Sequence, residues 1–192
     1  MRTREIGLCL TYRSASLALL VLAPAVCAAQ DVSVKVQRHG DAIVVDVEAT
    51  VAAPVRDAWS VFTDYDHMSS FISNIKQSRV IARKGNSLEV EQSGETKVAF
   101  LHFGFAAVRA VELVPMQEIR SSLVSGDFKA YSSTTRIAAT PSGVQISHHG
   151  EYVPKSWLPP LIGPAVVESE TRKQYREFIA EIERRGLAAK GP

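Results

Sequence analysis

VAAPVRDAWSVFTDYDHMSSFI, residues 51–72, changes from one kind of structure to another within a few positions. Pro54 suits the first position of a helix, where a missing N–H costs nothing. Val55, Ala58, Trp59 and Phe62 follow at i, i+3, i+4 and i+7, the spacing of an apolar helical stripe. Thr63 to His67 interrupts it, and Met68, Phe71, Ile72 and Ile75 resume helical spacing after an Asp suited to capping. Two short helices in tandem are predicted, and their stripe needs a sheet to cover. Asp64, Asp66 and His67 form no metal set here, because acids beside a helix start read as caps and no third spaced ligand cluster accompanies them.

Toward the N-terminus, Ile43, Val45, Val47, Ala49 and Val51 alternate with Asp46, Glu48 and Thr50, the period of a half-buried strand. Asp46 and Glu48 sit on its polar face and read as a solvated pair. Further back, a basic segment ending at Arg13 precedes the apolar run Ala15 to Val26 and the small residues Ala28-Ala29. This is the pattern of a cleaved secretory signal over 1–29, too short to span a bilayer, and it predicts a periplasmic or secreted protein. A further 30–42 reads as an N-terminal extension.

Removing that segment changes the meaning of the composition. The chain has 192 residues, 46% hydrophobic and 22% charged, with 22 Lys+Arg against 20 Asp+Glu. Setting aside Arg2, Arg4, Arg13 and Glu5 leaves 19 bases and 19 acids, so nothing recruits nucleic acid. Both cysteines, Cys9 and Cys27, fall in the same segment, which excludes thiol catalysis and cysteine metal sites from the remainder. About 160 residues suffice to bury a core without disulfides.

Downstream of the helices the chain is strand-rich. Gln77 to Arg83 and Ser87 to Ser93 flank Lys84-Gly85-Asn86, a hairpin turn by composition. Val98 to Val108 is apolar on both alternating sets apart from His102, so one face packs inward and the other must be covered or form a contact surface. Ala110 to Val114 and Glu118 to Ser125 continue the meander. Then Tyr131, Ser133, Thr135 and Ile137 lead through Thr140-Pro141-Ser142-Gly143 to Val144, Ile146, His148, Gly150 and Tyr152. If Ile137 and Val144 face the core, so do Tyr131, Thr135, His148 and Tyr152, which is more hydroxyl and imidazole than a dry core holds. Polar groups on an inner wall point to a cavity. His148 and His149 point to opposite faces and cannot chelate one metal.

The loop Ser156 to Gly163 is apolar and punctuated by proline. It suits a lid or a transient membrane contact through Trp157, Leu158, Leu161 and Ile162. A long helix is predicted over 165–185, with Val167, Thr171, Gln174, Phe178 and Ile182 on one stripe. Gly186 ends it, and 186–192 reads as a flexible tail.

Strand, two short helices, six antiparallel strands and a long helix is an order that resembles the helix-grip fold of the START-like (SRPBCC) superfamily. Val51-Ala52-Ala53-Pro54, Ala58-Trp59, Asp64-Tyr65 and Met68-x-x-Phe71-Ile72 resemble the opening of the polyketide cyclase/dehydrase and lipid-transport family, nearest in pattern to coenzyme Q-binding proteins. Gly126-Asp127-Phe128 and Trp157-Leu158-Pro159-Pro160 resemble its later landmarks. The pattern departs at Ser73-Asn74, where a proline is often seen, and at Ser132 to Thr135, which lacks a tryptophan.

The resemblance covers 43–185. It implies an α+β fold: a curved antiparallel sheet of about seven strands gripping the C-terminal helix, with an apolar cavity between them. Candidate ligand-binding residues are Phe71, Phe100, His102, Tyr131, Thr135, His148, Tyr152, Trp157, Thr171, Gln174 and Phe178. The expected ligand is a lipid, isoprenoid quinone or polyketide-like molecule, with no cofactor and no metal. The function expected is that of an exported binding or carrier protein. The alternative is a cyclase, dehydratase or isomerase with His148 as base and Tyr131 or Tyr152 as hydrogen-bond donor.

Overall fold

A computed structural model describes residues 32–98, 101–155 and 164–189. The predicted signal segment, the loop 156–163 and positions 99, 100 and 190–192 lie outside the described residues. The elements are β1 (Val32–His39), β2 (Ala42–Val51), α1 (Val55–Phe62), a 3-10 helix (Tyr65–Ser70), β3 (Ile75–Lys84), β4 (Ser87–Val98), β5 (Leu101–Val114), β6 (Glu118–Gly126), β7 (Phe128–Thr140), β8 (Gly143–Pro154) and α2 (Pro164–Ala189).

All eight strands form one antiparallel sheet in the order β1-β2-β8-β7-β6-β5-β4-β3. Neighbours in sequence pair as hairpins from β3 to β8, and β2 closes onto β8 with Val47 opposite His148. The two turns read from composition are present: Gly85-Asn86 joins β3 to β4, with Gly85 at φ 60°, and Pro141-Ser142 joins β7 to β8. A left-handed φ is the conformation glycine adopts at no steric cost.

Five features differ from expectation, each for a local reason. Residues 32–39 are a strand instead of an extension, because Val32, Val34 and Val36 carry the alternation needed to pair with β2. The sheet therefore has eight strands. Tyr65–Ser70 is a 3-10 turn, and Ile75 already begins β3, since Ser73-Asn74 breaks the helical run. Asp64 makes no side-chain cap; it pairs with His67 at 2.7 Å and Arg185 at 2.8 Å. The apolar stretch Val98 to Val108 is divided between β4 and β5, which pair Val98 with Leu101. Finally, α2 runs through Gly186 to Ala189; the glycine lies against α1, where an added Cβ would sit 3.5 Å from Asp57 Oδ2.

The core lies between the concave face of the sheet and α2, with α1 at one end. Phe178 stacks on Phe62 of α1 with ring centroids 4.4 Å apart, while Ile179 and Ile182 are fully buried. Ala58, Val61, Ile72, Val144 and Ile146 complete this packed end. Burying such side chains contributes about 1.5–3 kcal/mol each. The apolar stripes of α1 and α2 are thus consumed against each other and against the sheet, α2 on β1 and β2 and α1 on β7 and β8.

Candidate functional site

The inner face changes character along β7 and β8. Cross-strand pairs run from Ile137 and Ile146 at the packed end, through Thr135 and His148, then Ser133 and Gly150, to Tyr131 and Tyr152. Because strand side chains alternate faces, this series is set by odd-numbered residues of β7 and even-numbered residues of β8. The structure leaves a cavity of about 340 Å³ where the series becomes polar, between the sheet and α2. That volume falls at the lower end of the range for small-molecule sites.

Its walls come from every layer. Phe62, Tyr65 and Met68 contribute from the helical segment, Phe105, Ala107 and Arg109 from β5, and Thr171, Gln174, Tyr175 and Phe178 from α2. Tyr131, Ser133, Thr135, His148 and Tyr152 form the sheet floor. Gly150 matters here: a Cβ on it would lie 2.9 Å from His148 Nε2, so the glycine makes room for the imidazole.

His148 Nδ1 lies 2.8 Å from Thr135 Oγ1, and its ring packs against Tyr175 with centroids 5.8 Å apart. Burial, then the neighbouring charges of His149 and Arg109, push its pKa down to about 4, so the imidazole is neutral at pH 7. Burial also pushes the phenols of Tyr65 and Tyr152 up to about 12, and that of Tyr175 further up. All three remain protonated at neutral pH.

A line of polar side chains crosses the sheet beneath the cavity. Gln92 donates to Ser78 Oγ at 2.8 Å and to Met68 Sδ at 3.1 Å, and accepts from Arg109. Arg109 also donates to Tyr131 Oη at 3.1 Å, which lies 3.0 Å from Ser133 Oγ, and its guanidinium sits 5.5 Å from the Tyr131 ring centre. Burial works against the charge, while Tyr131, which accepts its hydrogen bond, and the nearby Tyr65 oxygen favour it, and the balance holds Arg109 above its ordinary pKa without supplying a counter-charge at neutral pH. Arg109 is the one charged side chain among the described cavity residues. Asn74 Oδ1 also lines the wall, buried and without a hydrogen-bond partner among the described residues.

Of the residues singled out from sequence, Tyr131, Thr135, His148, Tyr152, Thr171, Gln174 and Phe178 meet around this cavity. His102 does not. Residues of β5 at odd positions face inward, so His102 points out, half exposed, with Nδ1 3.1 Å from Glu95 Oε1. Phe71 lies edge-on to Phe178, with Arg185 over its ring at 5.4 Å, outside the cavity lining. Phe100 and Trp157, with Leu158, Leu161 and Ile162, lie outside the described residues. His149 takes the opposite face from His148 and pairs with Asp46 at 2.7 Å.

Sequence reasoning missed Gln92, Arg109 and Asn74. A signal for Arg109 existed: it is the charged member of the set Phe105, Ala107, Arg109 and Val111, whose other members are apolar.

Residues 51–179 match the family described as polyketide cyclase / dehydrase and lipid transport. The chain belongs to this family. Solved structures share its fold. The Zhui aromatase/cyclase from Streptomyces is 19% identical, with a TM-score of 0.66 over 79% of this chain and 99% of that one. The STAR-related lipid transfer protein from Xanthomonas axonopodis is 9% identical, with a TM-score of 0.65 over 80% and 98%. A START superfamily protein from Mycobacterium smegmatis is 19% identical, with a TM-score of 0.55 over 77% and 98%. At these identities the likeness shows the fold alone, a curved sheet around a C-terminal helix. A comparison with curated proteins gives no match. Family membership and fold together make this a hydrophobic-ligand-binding scaffold, and the cavity occupies the space between sheet and helix.

Proposed function

We propose that this protein is an exported binding or carrier protein for a hydrophobic small molecule held between the sheet and α2. The observation that carries the reading is the cavity itself: apolar walls from Phe62, Phe105 and Phe178, with a few placed polar groups on the opposite floor. Apolar walls supply affinity while a small number of hydrogen bonds orient the ligand. Burying about 300 Å² of ligand apolar surface contributes about 7 kcal/mol before the entropic costs of association. A lipid, an isoprenoid quinone of the coenzyme Q type or a polyketide-like molecule fits this description. Export is supported by the basic, apolar, small-residue order of 1–29, and membrane uptake by the apolar composition around Trp157.

The enzymatic alternative has less support. With a pKa near 4, His148 is a weak base, and among the described residues its hydrogen-bond partner is a threonine rather than a carboxylate.

Native mass spectrometry of the purified protein tests the carrier reading. A mass excess that organic extraction removes is expected, and Thr171→Phe, which fills the cavity from α2, abolishes it. Bare polypeptide in every preparation, with no uptake of added lipid, overturns the reading.

A further inference from the structure

We propose that the ligand is an acid, and that its carboxylate pairs with Arg109. The inference rests on the binding reading above and narrows it to a chemical class.

Several other arginines of this protein are matched with acids. Arg185 meets Glu181 at 2.7 Å and Asp64 at 2.8 Å, Arg136 meets Glu118 at 2.7 Å, and Arg172 meets Glu168 at 2.6 Å. These pairs lie at or near the surface, where an arginine needs an acid least. Arg109 lines the cavity with its side chain only partly exposed, where it gains more from one, because an ionised group drawn away from water is costly unless it is paired. Yet its partners are two neutral oxygens, Tyr131 Oη and Gln92 Oε1. Not one Asp or Glu is among the described cavity residues. The neighbouring titratable groups leave the imbalance in place: His148 is neutral, and the Tyr65, Tyr152 and Tyr175 phenols are protonated. Among the described residues, the cavity therefore carries one positive charge with no acid beside it.

Nor is Arg109 free to swing out and find water. Gln92 holds one side of the guanidinium, and Gln92 is itself fixed by Ser78 and Met68; Tyr131 holds another nitrogen. A guanidinium presents five N–H donors in a planar fork, and the two bonds named here use two of them. A carboxylate accepts two such donors side by side and brings one negative charge, so it cancels the cavity's charge. A phosphate monoester brings about −1.5 to −2 at neutral pH and leaves a buried excess of negative charge. A neutral quinone or alcohol leaves Arg109 as it stands. The aromatic and aliphatic walls on the α2 side take the apolar body of the acid.

The experiment uses decanoate and decanol as probes of equal chain length, titrated calorimetrically into the delipidated protein at pH 7. Decanoate is expected to bind at least tenfold more tightly than decanol. Arg109→Met removes that preference, bringing the ratio of the two affinities to within about twofold of one, while Arg109→Lys, which keeps the charge but loses the fork, retains part of it. Thermal unfolding of each variant without ligand separates binding from folding, and the wild-type comparison of the two probes stands even if a variant does not fold. Equal binding of decanoate and decanol by the wild type overturns the acid assignment and leaves the carrier reading intact. Binding of neither probe overturns both.

Discussion

The two ends of the space between sheet and α2 are built from the same elements and differ in nearly everything else. At the α1 end, Phe62 stacks on Phe178, and Val61, Ile72, Ile146, Ile179 and Ile182 are at or near zero exposure. At the other end the same strands present Thr135, Ser133 and Tyr131 opposite His148, Gly150 and Tyr152, and α2 presents Thr171 and Gln174. The first end is filled and the second is not. Charges follow the same division in reverse: Arg185, at the rim of the packed end, has two acids, and Arg109, inside the open end, has none among the described residues. Stability is concentrated where packing is complete, and the capacity to bind is left where packing stops.

Substitutions that separate the two ends test this division. The largest effect is expected at Ile179, which is fully buried: Ile179→Ala should cost about 4 kcal/mol in urea unfolding, the scale of a cavity left by a large aliphatic side chain. A loss below about 1 kcal/mol would show that the packed end does not hold the fold.

Next comes pH. His148 has a folded pKa near 4 against an ordinary 6.5, so between those values the unfolded chain binds more protons than the folded one. Its stabilising contribution is therefore complete above pH 6.5 and is lost as pH falls toward 4, about 3 kcal/mol in all. Comparing wild type with His148→Gln at pH 7 and pH 4 isolates this term, since acids such as Asp64 and Glu181 titrate alike in both proteins. An identical pH slope for the two would place His148 in contact with water.

A smaller loss, about 1 kcal/mol or less, is expected for Asp64→Asn, because its pairs with Arg185 and His67 are partly solvated. Smallest of all is Thr171→Val on the cavity side of α2, within about 0.5 kcal/mol in stability, but with an altered affinity for a bound hydrophobic probe. A change in stability comparable to that of Ile179→Ala would contradict the division between the two ends.

Much of the fold was legible because it rests on local periodicity. The alternation Ile43 to Val51, the helical stripe after Pro54 and the turns at Gly85-Asn86 and Pro141-Ser142 are each decided within a few residues. The inward set of β7 and β8 was legible for the same reason: once Ile137 and Val144 face the core, the period of two carries Tyr131, Thr135, His148 and Tyr152 with them. Reading failed where a local signal was weak or ambiguous. Residues 32–39 show alternation only at their start, and pairing with β2 completes them as a strand. On Val98 to Val108 both faces are apolar, so sequence alone could not choose between His102 and Phe105 as the inward residue. The division into two strands and the pairing of β5 with β4 made that choice.

Arg109 shows the same limit most clearly. As a sequence position it is a charged residue on a strand, and the ordinary expectation for such a residue is solvent. Its inward direction follows from the alternation of β5, and the lack of an acid partner among the described residues follows from which side chains nine other elements bring to one cavity. Local pattern along the chain settled the order of strands and helices from β2 onward, most of the apolar faces and the neutral, cysteine-free character of the sequence after residue 29. Folding in three dimensions settled where packing ends and a cavity begins, and that one arginine lines it with no acid among the described residues beside it. Periodicity is encoded by neighbours along the chain, whereas charge balance inside a cavity is a sum over residues that meet only when the chain is folded.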